Sequence, residues 1–387
     1  MHWSYGLFRI FGIQVRMHVT FLFIVAYFAF VWGAMRQPGG VLGAAYGVVL
    51  VIMLFGLVTI HELTHSLVAR KFGVEVKNIT LLPIGGMASM SEIPRDPRQE
   101  LAISVAGPLS NVVLALVMAV GAALFVNLGD LTDPDHLASL LMGTGFKSAY
   151  FYLMAVNVML AVFNLLPAFP MDGGRVFRAF LTLRVGRPRA TRLAVQVGQT
   201  LALLLGLLGV LGGGIIMLLV AMFIYFGAQA EGRQEEVQAV LGGLRVSQAV
   251  NTGVEVVQPQ QTIGEVAARL FHTYQEDFPV VDRGGKVVGV LTRDVLISGL
   301  SEHGPSVSVG DTMRKEFPRI TLDWPLYEAF TEMRSQGVKA VPVMQGETLA
   351  GMLSVEDISE AYTLLSSAGP DLAQRVSSQP PNTESEE

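Results

Sequence analysis

The chain has no cysteine among its 387 residues. Disulfides and thiolate metal sites are excluded, so any metal must be held by His, Asp or Glu. Charge is scarce as well. Asp, Glu, Lys and Arg make up 15% of the sequence, against roughly a quarter in soluble domains. The shortage is uneven: long apolar runs fill the first part, and ordinary charge density returns from about residue 231. A membrane part followed by a soluble part is the expectation. The net charge of −5 gives no basis for binding nucleic acid. No small-residue cleavage site follows the first apolar run, which therefore reads as a span and not as a removable signal peptide.

Six apolar runs approach the roughly 20 residues that a bilayer-spanning helix needs. They lie near 17–35, 45–68, 101–127, 147–168, 194–211 and 213–230. The last two meet at Gly212-Gly213-Gly214, and the fifth has room to begin several residues earlier. Basic residues collect in alternate connections, which marks those as cytosolic. Arg9 and Arg16 precede the first run, Arg70, Lys71, Lys77, Arg95 and Arg98 follow the second, and a series from Arg175 and Arg178 to Arg192 follows the fourth. The intervening connections are poor in positive charge: Arg36 stands in one, and Lys147 with Asp130, Asp133 and Asp135 in another. Six spans then put both termini in the cytosol, in a multi-pass protein of the plasma (inner) membrane. The expected layout is a membrane domain over 1–230, a polar linker over 231–244, two soluble modules over 245–300 and 301–368, and a disordered Ser-, Pro- and Glu-rich tail over 369–387.

The second run ends in Ile60-His61-Glu62-Leu63-Thr64-His65. On a helix His61 and His65 share one face, one turn apart, so two imidazoles can bind one Zn²⁺. Glu62 can then act as general base to a water at the metal. By chance the pattern His-Glu-x-x-His arises in on the order of one chain in a hundred. Three ionisable side chains at the end of an apolar helix also need a compensating partner, since each costs about 3 kcal/mol in the bilayer. A catalytic zinc takes three protein ligands and leaves one position open. Asp172, at the end of the fourth run and at similar depth to His65, is the candidate third ligand. Alone it would read as a turn or helix-cap carboxylate ahead of Gly173-Gly174; beside the two histidines the ligand reading is stronger. His18, at the start of the first run, reads as an interfacial residue.

His61-Glu62-x-x-His65, with Asn164-x-x-Pro167-x-x-Pro170-x-Asp172-Gly173 in a later span, resembles the site-2 protease family of intramembrane zinc metalloproteases, peptidase family M50. The resemblance covers essentially the whole membrane part. It implies one zinc per chain on His61, His65 and Asp172, with Glu62 activating water. It implies that Asn164 holds the substrate or the developing oxyanion; an interhelical hydrogen bond is the plainer reading of that residue. Leu81-Leu82-Pro83-Ile84-Gly85-Gly86-Met87 looks like the family's re-entrant loop, in which Gly85 and Gly86 offer a strand edge to the substrate; an ordinary apolar loop is the alternative. Ala106-Gly107-Pro108-Leu109-Ser110-Asn111 is also similar to a family segment and reads as a helix-packing element. The implied substrate is a membrane protein cut within or near a transmembrane segment, for instance a membrane-bound transcriptional regulator.

The tail repeats itself at a period of about 60 residues, too long and too few for a solenoid. Phe278-Pro279-Val280-Val281 precedes Gly289-Val290-Leu291-Thr292-Arg293-Asp294, and Val341-Pro342-Val343-Met344 precedes Gly351-Met352-Leu353-Ser354-Val355-Glu356-Asp357. Each half predicts two short buried strands flanked by helices. This resembles a pair of cystathionine-beta-synthase (CBS) modules. That implies an α/β regulatory pair binding ATP or another adenine nucleotide, and assembly into a homodimer or larger oligomer. Thr292, Asp294, Ser354 and Asp357 are the candidate nucleotide residues. Ser354-x-x-Asp357 has the family spacing; Thr292-x-Asp294 is one residue short. Two helix N-caps are the competing reading.

Two other functions compete. A transporter or channel with a regulatory tail would also bury His, Glu and Asp along its pathway, but it has no need of the His-Glu-x-x-His spacing. A non-catalytic relative that only binds membrane proteins would have no use for the full set of catalytic side chains.

Overall fold

A computed structural model describes residues 3–36, 39–90, 94–123, 140–141, 143–270, 272–273 and 275–368. The chain divides into two compact units, Met1–Gly232 and Arg233–Glu387.

The first unit begins with strands, which the sequence reading did not anticipate. β1 (Ser4–Ile10) pairs antiparallel with β2 (Ile13–His18), and β2 runs parallel to β3 (Val76–Leu82). β3 pairs antiparallel with β4 (Gly85–Met90), giving the order β1-β2-β3-β4. The signal was the alternation Ile13-Gln14-Val15-Arg16: Ile13 and Val15 point inward at 1% and 0% exposure, as a period of two requires. Residues 17 and 18 therefore close a strand and do not open a span. His18 turns its Nδ1 onto Thr20 Oγ1 at 2.8 Å. The segment 81–87, expected as a re-entrant loop offering a strand edge, is the tip of the β3–β4 hairpin, with Leu82 opposite Gly85 across a turn at Pro83-Ile84.

The first apolar helix is correspondingly short. α1 (Phe21–Phe30) continues through a π-helical turn to Met35, which gives about 22 Å of rise, less than the roughly 30 Å of a bilayer core. Five further helices among the described residues are long and apolar enough to span. They are α2 (Gly40–Lys71), α3 (Pro97–Ala122), α4 (Phe146–Asn164), α6 (Arg187–Leu208, extended by a π-helical turn to Gly213) and α7 (Gly214–Leu241). The fifth expected span does begin earlier than residue 194, at Arg187. α5 (Asp172–Val185) is a shorter helix between α4 and α6. Large apolar side chains such as Leu116, Val120, Leu203 and Ile216 stand more than half exposed on these helices, the outward face that a bilayer covers. Asp130, Asp133 and Asp135, the end of the third expected span and the tail over 369–387 lie outside the described residues.

The sheet packs on α2. Ile13, Val15, Phe21, Val51, Phe55 and Ile79 form one buried cluster, which brings β3 and β4 beside the helix that carries the His-Glu-x-x-His motif.

Residues 231–244, expected as a polar linker, are helical as far as Leu241, which is 1% exposed and buried among the apolar residues of the second unit. There the expected repeat is present. β5 (Phe278–Val281) pairs antiparallel with β6 (Val287–Leu291), and β7 (Ala340–Gln345) with β8 (Thr348–Ser354). A helix follows each pair: Arg293–His303 after the first and Val355–Ala368 after the second. Each half has its own core, one around Phe278, Val280 and Leu291, the other around Val341, Val343 and Leu353.

Candidate metal centre

α2 stacks His61 over His65 with ring centroids 4.7 Å apart and their Nε2 atoms 3.1 Å apart. Asp172 is the first residue of α5, and its Oδ2 lies 3.1 Å from His65 Nε2 and 3.2 Å from His61 Nε2. Among the described residues these three form the group whose donor atoms converge on a common point. The triangle has sides of 3.1, 3.1 and 3.2 Å. Ligands about 2.0–2.1 Å from a tetrahedral zinc lie about 3.3 Å from one another, so the donor set fits that ion.

The surroundings prepare the histidines for a metal. His65 Nδ1 lies 2.7 Å from the carbonyl oxygen of Ile103 on α3. A carbonyl only accepts, so Nδ1 carries the proton and the lone pair sits on Nε2, facing the triangle. Both rings are under a tenth exposed. Gly107 of α3 completes the cradle. A Cβ built there would lie 2.1 Å from His65 Nε2 and 2.6 Å from His61 Cε1, so only a glycine leaves room for the two rings. The sequence reading took this segment as packing; the signal it offered was a glycine inside a helix, where alanine is preferred by about 1 kcal/mol.

Glu62 lies beside the histidines on α2 and meets the sheet at Gly86. A Cβ at Gly86 would come within 2.5 Å of Glu62 Cγ. The structure thus brings β4, with Gly85 and Gly86, directly against Glu62. In the sheet order β4 is an edge, paired to β3 on one side. Asn164 closes α4, half-buried, eight residues ahead of Asp172.

Other residues stand apart from their sequence reading. Arg178, counted as a cytosolic loop charge, is 2% exposed on α5. Its guanidinium pairs with Glu100, which is 0% exposed, and with Glu231 at 2.8 Å. Sequence periodicity gave no sign that Glu100 is buried.

In the second unit Thr292 caps its helix, accepting from the Val295 N–H. The Ser354 hydroxyl donates to Asp357 Oδ2 at 2.6 Å and accepts from the Asp357 N–H at 3.0 Å. Asp294 faces solvent 3.6 Å from Lys339 Nζ. Thr292 and the reciprocal Ser354–Asp357 pair therefore serve as helix N-terminal caps, and Asp294 takes no part in capping.

Comparison with known proteins gives the family. The model of peptidase family M50 matches residues 49–205, and the CBS domain model matches 246–302 and 309–363. A zinc metalloprotease of Methanocaldococcus jannaschii is 34% identical over 368 residues, covering 94% of this chain and 98% of its own. The protein Rip3 of Mycobacterium tuberculosis is 27% identical over 382 residues, covering 94% of each. The solved structure of a site-2 protease from Methanocaldococcus jannaschii aligns at 38% identity and a TM-score of 0.43, over 60% of this chain and 96% of that one. His61, Glu62, His65, Gly107 and Asp172 all lie within the matched segment, and the similarity to the first relative runs on through the repeated tail. The chain thus belongs to peptidase family M50 as a site-2-type membrane metallopeptidase that carries a CBS pair.

Proposed function

We propose that this protein cuts membrane proteins within or beside a transmembrane segment, using one zinc ion on His61, His65 and Asp172. The observation that carries the reading is the placement of Glu62 between the convergent His61–His65–Asp172 donors and the edge strand β4.

A helical substrate hides its peptide bonds in its own hydrogen bonds and must unwind before attack. Among the described residues β4 has a strand partner on one side alone, so an unwound segment gains a partner at its other edge. Gly86, with no side chain, lets that strand lie against Glu62. Bound zinc supplies Lewis-acid polarisation of the scissile carbonyl and lowers the pKa of water. Glu62 takes the proton of the attacking water and returns it to the leaving nitrogen. Asn164, at the end of α4, is assigned to holding the substrate backbone or its developing oxyanion. The His65 Nδ1–H bond to Ile103 keeps the ring in the ligating tautomer throughout.

The distribution of Lys and Arg supports a plasma-membrane protein with both termini cytosolic, since α1, though short, returns the chain beside α2 and β2 pairs with β3 just past the end of α2. The CBS pair is assigned to adenine-nucleotide sensing and to self-association. Thr292, Asp294, Ser354 and Asp357 sit at the helix starts where ribose and phosphate would bind.

The deciding experiment compares membrane-protein fragments, by mass spectrometry, from cells making the wild type and Glu62→Gln. Fragments ending inside a transmembrane segment and seen only with the wild type are expected. Identical profiles from two zinc-loaded proteins would count against the protease reading. Gly86→Ala gives a narrower check. Its methyl group displaces Glu62, so kcat is expected to fall by about tenfold or more through a misplaced base, with zinc retained. An unchanged kcat would show that β4 does not hold Glu62 in place.

A further inference from the structure

The buried charges around Arg178 join the elements that build the metal centre. Arg178 Nε donates to Glu100 Oε1 at 2.8 Å, and Nη2 contacts the same oxygen. Arg187 Nη1 donates to the other oxygen, Glu100 Oε2, at 3.0 Å. Arg178 Nη1 donates to Glu231 Oε1 at 2.8 Å. The guanidinium also lies 5.0 Å over the ring of Phe169, which is 0% exposed. As a source of stability alone, a buried ion cluster does no better than apolar side chains of the same size. What a forked guanidinium adds is fixed geometry.

That geometry leads to the zinc ligands from both sides. Arg178 is six residues after Asp172 on α5, about 9 Å along the helix axis. Phe169 is three residues before Asp172 in the preceding turn. On α3, Glu100 is three residues before Ile103, whose carbonyl holds His65, and seven before Gly107, which makes room for both imidazoles. The Arg178–Glu100 pair therefore ties the helix that presents Asp172 to the helix that orients His65. Glu231 adds α7, the helix through which the chain passes from the first unit to the second.

We propose that Arg178 is a positioning residue for the metal centre: gripped by Glu100 and Glu231, it sets Asp172 at ligating distance from the His61–His65 pair. This rests on the metal reading above.

The test uses the full-length protein and two ions, Zn²⁺ and Co²⁺. Zinc affinity is measured by competition with a chromophoric chelator, and the visible absorption of the Co²⁺-loaded protein reports ligand geometry. Arg178→Lys keeps the charge and loses the fork. It is expected to weaken zinc binding about tenfold or more, to shift the Co²⁺ bands, and to lower kcat with KM retained. Glu231→Gln, at a side chain 20% exposed, leaves the Glu100 pair intact and is expected to give a smaller change in the same direction. A residue that only stabilised the fold would leave the affinity and the Co²⁺ spectrum of the folded variants as in the wild type, and that result overturns the proposal. If Arg178→Lys does not fold, Glu231→Gln decides by the same two readouts. A wild type that binds neither ion removes the metal reading itself, and this inference with it.

Discussion

Purified Glu62→Gln is expected to hydrolyse a transmembrane peptide about 10³-fold more slowly than the wild type while keeping its zinc. In energy the loss is about 4 kcal/mol of transition-state stabilisation. The amide matches the carboxylate in size, so the contact with Gly86 survives. It has no lone pair basic enough to take a proton from water. The proposed ligands His61, His65 and Asp172 are untouched, so metal content by atomic absorption should remain one per chain. Single-turnover cleavage in proteoliposomes separates this loss from any change in substrate binding. A kcat within a few-fold of the wild type would assign the base to another residue.

Gly107→Ala should act in the opposite way, removing the metal and sparing the scaffold. The new Cβ would lie 2.1 Å from His65 Nε2 and 2.6 Å from His65 Cε1, inside van der Waals contact. The ring must turn away, and its Nδ1 bond to Ile103 opposes the movement. Either the bond or the donor triangle is lost. Zinc affinity is expected to fall by about 100-fold, at the upper end of what perturbing the shell around a metal costs. Alanine meanwhile favours the helix over glycine by about 1 kcal/mol, which offsets the displacement of the ring, so the variant should unfold no more easily than the wild type stripped of its metal. Chelator competition and thermal unfolding by circular dichroism read the two effects separately. Unchanged zinc affinity would mean that the rings have slack the structure does not show.

Parts of this architecture were legible before any coordinates. The spacing of His61 and His65 places two imidazoles on one helical face whatever surrounds the helix, because the period of 3.6 is local. The twofold repeat of the tail and its paired strands could likewise be read from alternation and turn residues. The apolar runs gave five of the spanning helices, because a bilayer imposes a composition on every span. The N-terminal strands were missed for a related reason. Their alternation is short and merges into an apolar helix, and strand pairing is settled by partners far along the chain, here β3 some sixty residues later. The expected polar linker over 231–244 is helical as far as Leu241, and its apolar residues Val237, Val240 and Leu241 bury against the second unit's core, a packing that its polar composition does not reveal.

The sequence by itself determined the candidate donor types, the zinc chemistry they would suit and the division into an apolar and a polar part. These depend on residue identity and on spacing within single elements. Only the tertiary structure decided that Gly107 faces both imidazoles, that Gly86 rests on Glu62, and that Glu100 and Arg178 meet in the interior. Each of these depends on how two helices, or a helix and a sheet, approach one another. That approach is the summed result of packing over whole surfaces, so no single stretch of sequence encodes it.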